Sequence, residues 1–173
     1  NGVETDVCDG LCEVVVRRKV FVSSEFTGGA LGGLPGADNF CNALAASGGL
    51  PGNFKAWLST SDTSPSTRFD TSFDGVYELV DGTMVAHGWA GLTAGSLDHA
   101  IHLNEVGNPE NNIVWTNTTT QGSPSSGNHC SNWQSNSGTS SVGNVAYDDG
   151  RWTGDFSGYS CGGSALIYCF EDP

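Results

Sequence analysis

Six cysteines, Cys8, Cys12, Cys41, Cys130, Cys161 and Cys169, stand in a chain of 173 residues, and none belongs to a Cys-x-x-Cys pair. An even count without close-set knuckles argues for disulfides and an oxidising compartment, and against a structural zinc site. Covalent staples matter in this chain because its local propensities are weak. Gly occurs 25 times, and Ser, Thr and Asn are abundant, a vocabulary of short strands joined by long irregular loops. Hydrophobic residues make up 37%, with five Trp and eight Phe, enough to fill the core of one domain. The expectation is an α+β domain with one main helix and long stapled loops.

Period assigns the elements. Val14, Val16, Val20 and Val22 recur at even spacing and predict a first strand within Glu13–Ser24. Ala37, Phe40, Cys41, Leu44 and Ala45 fall on one helical face, so a helix is expected over Pro35–Ala46, with Pro35 in its first turn and Gly48 at its stop. Cys41 lies on that buried face. Phe54, Ala56 and Leu58 alternate as a short strand. Val76 to Ala86 reads as a hairpin around Asp81-Gly82. Ile101 and Leu103, then Ile113 to Trp115, predict further strands. The long polar stretch from Thr116 to Tyr159 must hold short strands of its own, placed near Cys130–Trp133 and Trp152. Ala165 to Phe170 is apolar on both faces and predicts a central buried strand. The turn-rich segment before it all, residues 1–17, reads as a linker or the stub of an upstream module, with Cys8 and Cys12 pairing across a turn; residues 18–173 form the domain.

Nineteen acidic residues against six basic ones give a net charge of −13, and Arg17-Arg18-Lys19 is the only basic cluster. Such a surface repels nucleic acid, heparin and anionic membranes, whose binding depends on Lys and Arg. No apolar run approaches the ~20 residues needed to span a bilayer. The polar opening segment does not read as a signal peptide, so a secreted protein is expected here in mature form. Catalytic signatures are missing too: no Gly-x-Ser-x-Gly elbow and no His-Glu-x-x-His helix. His99 and His102 are three apart in a stretch read as strand or loop, where they are expected to face opposite sides and make poor joint ligands.

One long stretch resembles a known family. GGLPGADNFCNALAASGGLPGNFKAWLS, from Gly32 to Ser59, is similar to the first half of endostatin, the C-terminal domain of certain basement-membrane collagens. Val114–Thr116, His129–Trp133 (HCSNW) and Ser160–Glu171 (SCGGSALIYCFE) follow the order and spacing of that family's later motifs. The chain looks nearer to the bacterial secreted and lipid-anchored relatives than to the animal proteins. The resemblance runs from Lys19 to Asp172 and implies a compact C-type lectin-like fold with nested disulfides, Cys41 to Cys169 and Cys130 to Cys161. Closing a Gly-rich loop of about 30 residues offsets roughly 3–4 kcal/mol of ordering entropy. Two family properties do not carry over. Endostatin's zinc site uses N-terminal histidines, and no His precedes His87 here; its heparin site uses arginines, of which this chain has three.

Calcium-dependent C-type lectins place a Glu-Pro-Asn loop and a Trp-Asn-Asp strand ahead of their central cysteines. Here the Asn104–Asn112 loop and Trp152-Thr153-Gly154-Asp155 hold similar positions. Glu105, Asn108, Glu110, Asn112, Asp149 and Asp155 are therefore candidate calcium ligands, against the plain reading of Asn, Asp and Pro as turn residues; calcium takes about six to eight oxygens. The five Trp offer stacking faces or core, and core is expected for Trp115 and Trp133. The leading functional expectation is a non-catalytic, extracellular binding or adhesion module for a glycan or protein. A structural cap or spacer of a larger bacterial surface protein is the alternative, and an unrecognised hydrolase the third.

Peptide mapping under non-reducing conditions checks the cysteine framework. Fragments joined as Cys41–Cys169, Cys130–Cys161 and Cys8–Cys12 are expected, and a Cys41–Cys130 fragment would remove the basis of the fold expectation.

Overall fold

A computed structural model describes residues 14–125, 127 and 129–173. Eight strands are present: β1 (Arg17–Val22), β2 (Phe54–Ala56), β3 (Val76–Glu78), β4 (Met84–His87), β5 (Ile113–Trp115), β6 (Thr139–Asn144), β7 (Phe156–Ser160) and β8 (Leu166–Glu171). They form one mixed sheet in the order β4-β3-β1-β8-β5-β6-β7. Strand β8 has two edges. β1 runs antiparallel along one, while β2 (antiparallel) and β5 (parallel) divide the other between them.

Side chains alternate across a strand, and β8 is buried on both faces. Leu166, Tyr168 and Phe170 point into one core with Val20, Val22, Trp57, Tyr77 and Trp152. Ile167 and Cys169 point into the other with Phe21, Leu34, Trp115 and Trp133. This explains the unbroken apolar run: a strand with core on both sides has no polar face to show. The second core is closed by helix α1 (Gly33–Ser47), which begins two residues before the predicted start and stops at Gly48 as expected. Cys41 on its buried face bonds Cys169 of β8, with Cα atoms 5.5 Å apart. The polar side of α1 is fastened as well. Asn42 exchanges two hydrogen bonds with the Phe54 backbone, and Asp38 accepts from Ala56 N–H and from both terminal nitrogens of Arg68.

Several elements differ from expectation. The hairpin of β3 and β4 forms, with a bulge between Tyr77 and Glu78. Ile101 and Leu103 are buried but lie in irregular chain, where Leu103 makes a single bridge to Pro109. Trp152 ends a short 3-10 turn, and the strands of the polar stretch are β6 and β7 instead. Their sequences, TSSVGN and FSGYS, carry no apolar alternation to reveal them. Small residues are required in β6 because the chain crosses it closely: a Cβ on Gly143 would stand 2.0 Å from the Trp152 carbonyl oxygen.

Cys130–Trp133 is the least expected element. All four residues have positive φ, from 51° to 63°, and Trp133 and Gln134 donate to carbonyls four residues back. This is one turn of left-handed α-helix built without glycine, at about 1–2 kcal/mol per residue. Compensation is local. Cys130 bonds Cys161, closing a separation of 31 residues, which contributes about 3–4 kcal/mol. Trp133 is fully buried, and its indole donates to Ser59 O. His129 Nδ1 accepts from Asn132 N–H, and Asn132 Oδ1 accepts from Ser61 N–H. Ser131 alone in the turn is exposed. Replacing it with Gly removes its steric cost without touching a partner. S131G is expected to stabilise the reduced-strain turn by about 1 kcal/mol in urea unfolding, a gain opposite in sign to most glycine substitutions.

Candidate functional site

The acidic balance of the chain has a structural counterpart: all six cationic side chains are in ion pairs. Arg17 and Lys19 both engage Glu78, each at 2.6 Å. Arg68 pairs with Asp38, and Arg151 with Asp149. Arg18 bridges Asp70 and Asp172, and Lys55 joins it on Asp172. The apparent basic triplet is thus divided by the strand alternation of β1: Arg17 and Lys19 go to one carboxylate and Arg18 to others. Arg18 is the polar member of the even-numbered core stripe, and its guanidinium lies 3.9 Å from the Phe73 ring centroid. Hydrogen bonds from Ser72, then from Arg18, hold the Asp70 carboxyl below the usual carboxylate range. Burial pushes the neighbouring Tyr77 phenol up to about 12.

The six candidate calcium ligands are engaged separately or point outward. Glu105 is buried and accepts from the Ser24 N–H and hydroxyl. Glu110 accepts from Asn104 Nδ2, and Asn104 Oδ1 in turn accepts from the N–H groups of Val106 and Asn108, which makes the loop a self-bonded turn. Asn108 and Asn112 are exposed, and the Asn112 carbonyl accepts from Val145 N–H. Asp155 accepts from Asn144 Nδ2. Asp149 is fully exposed, and its hydrogen bonds from Arg151 lower it to about 2. Among the described residues no three acidic, His or Cys side chains converge as a metal cage.

The Trp-Thr-Gly-Asp segment instead belongs to a buried polar network. Trp57 Nε1 donates to Thr153 Oγ1 (2.8 Å), the Thr153 hydroxyl to Thr118 O, and the Thr116 hydroxyl to Thr153 O. Asn117, in the sequon Asn117-Thr118-Thr119, is buried there and donates to Ser59 O, so the folded chain hides it from modification. Trp57, Trp115, Trp133 and Trp152 are all fully buried, as expected for Trp115 and Trp133. Cys8 and Cys12 lie outside the described residues.

The outward-facing aromatics are elsewhere, on the outer strand β7. Phe156 is 45% exposed and meets Tyr159 edge-on at 6.1 Å. Tyr159 stacks on Trp115, and Trp115 on Trp133, so a row of rings runs from the second core to the surface. Sequence reading missed this pair because FSGYS carries no strand period; its only signal was two aromatics among small residues. No family model matches the chain, and no curated protein matches it either. No helix of the described residues is long and apolar enough to cross a membrane.

Two stability measurements test the electrostatics. Asp172 is 1% exposed and serves two cations, so D172A strands both and is expected to cost about 3–5 kcal/mol in chemical unfolding. Glu171 behaves oppositely. Burial raises its pKa, so at neutral pH the ionised carboxylate costs stability, and that cost fades as pH falls through the raised folded value. E171Q keeps an acceptor for Lys19 N–H. A higher melting temperature than wild type is expected at neutral pH, with the two curves meeting in acid.

Proposed function

We propose that the chain is an endostatin-like module of C-type lectin-like fold from a bacterial surface or secreted protein, and that it binds an extracellular protein or glycan without catalysis. Two nested disulfides, Cys41–Cys169 and Cys130–Cys161, support the family reading, since they join the helix, the central strand and the long loops as the resemblance implies. Disulfides of this kind form in oxidising compartments, which fits an extracellular site of action.

The observation that carries the binding reading is the aromatic pair on β7. An exposed Phe braced by a Tyr whose ring rests on a buried Trp is a rigid apolar contact, the kind that anchors an interface at small entropic cost. With every cation already paired, the ligand is neutral or basic, and heparin and nucleic acid are disfavoured.

Immobilised glycans and a panel of extracellular-matrix and plasma proteins, probed with wild type and with F156A, test this. Binding by wild type that falls about tenfold or more in F156A is expected. Binding unchanged by F156A would remove β7 from the interface. Silence across the panel would favour the spacer reading.

A further inference from the structure

The chain from Asp98 to Leu103 is irregular, and this brings together two imidazoles that strand geometry would have separated. The rings of His99 and His102 lie 5.2 Å apart between centroids, inclined by 34°. Each Nδ1 is within hydrogen-bond distance of the same acceptor, the Ala100 carbonyl oxygen, at 3.0 Å from His99 and 3.1 Å from His102. A carbonyl only accepts, and its two lone pairs serve two donors, so both neutral rings carry their proton on Nδ1. Both Nε2 atoms therefore present a bare lone pair, and neither has a hydrogen-bond partner among the described residues.

Histidines that ligate metals through Nε2 are held in this way, with Nδ1–H given to a backbone carbonyl that fixes tautomer and ring orientation. The spacing agrees as well. With metal–nitrogen bonds of about 2.0–2.1 Å and an imidazole radius of about 1.1 Å, two rings on one tetrahedral ion have centroids about 5 Å apart. Both rings are half-buried, so they are anchored yet open to solvent. The surroundings are anionic: Asp98 precedes His99, and the carboxylate of Asp81, on the adjacent hairpin turn, is near enough to His102 to feel its charge.

We propose that His99 and His102 form a two-histidine site for a borderline divalent cation such as Zn²⁺ or Cu²⁺, with water completing its coordination. Imidazole pairs favour these ions, whereas calcium and magnesium take oxygen donors. The site is independent of the β7 surface and of the carboxylate loops, and stands whether or not either binds a ligand.

Isothermal titration of the intact chain with Zn²⁺, in a non-coordinating buffer with millimolar Ca²⁺ present, tests the assignment. One saturable site is expected, weakened at least about tenfold in H99A and in H102A and retained in H87A, which alters an exposed histidine outside the pair. Nitrogen-15 imidazole spectra give a second readout that needs no variant: the Nδ1–H tautomer at both rings before metal, and Nε2 shifts confined to these two rings after it. Titration curves identical in wild type and the H99A/H102A double variant would overturn the proposal. So would Nε2–H tautomers at either ring in the metal-free chain.

Discussion

Alternation along β8 places both cores of this protein. Leu166, Tyr168 and Phe170 face the Trp57–Trp152 side, while Ile167 and Cys169 face α1, and a shift of register by one residue would exchange them. The Cys41–Cys169 bond forbids that exchange, because only one face of β8 can reach the helix. The remaining strands are placed by reference to it: β1 on one edge, β2 and β5 sharing the other, and the outer strands beyond them. The apolar run, the disulfide and the two-sided core are one constraint seen at three levels.

Charge is organised around the same strand. The residues that follow it, Glu171 and Asp172, receive the N–H of Lys19 and the side chains of Arg18 and Lys55, so the chain end is tied to β1 and β2 by ions as its middle is tied to α1 by sulfur. Six cations engaged in this way leave a surface on which acidic groups predominate. That surface fits a neutral, basic or metal-ion ligand, and it gives the proposed imidazole pair a favourable field.

The left-handed turn at Cys130–Trp133 shows why the polar stretch needs its staple. Four L-residues in an unfavourable backbone conformation persist because a disulfide, a buried indole and the Ser59–Ser61 segment all hold the same turn. The Thr116–Thr118 and Thr153 network extends this hold across the first core through Trp57. Threonines and asparagines that read as loop vocabulary are internal hydrogen-bonding groups here, which low-dielectric burial makes costly to leave unpaired.

Helix α1, the central strand, the β3–β4 hairpin and the two-core hydrophobic complement were legible in the sequence, because period and Gly or Pro punctuation are local properties of a chain. The apolar core roles of Trp115 and Trp133 were legible for the same reason. Strands β6 and β7 were not, since small polar residues carry no period; they are strands only because Trp115 and the crossing Trp152 backbone dictate what fits beside them. The candidate calcium loop looked like a ligand set because composition counts carboxylates without saying where their partners are, and folding supplied Ser24 to Glu105 and Arg151 to Asp149. His99 and His102 went the other way. Strand spacing separated them, and an irregular turn around the Ala100 carbonyl brought them together. By itself the sequence determined which segments were buried and that cysteines would staple them. Tertiary structure alone decided which polar groups face one another, because hydrogen bonds and ion pairs act over a few ångströms between residues that may be 100 positions apart.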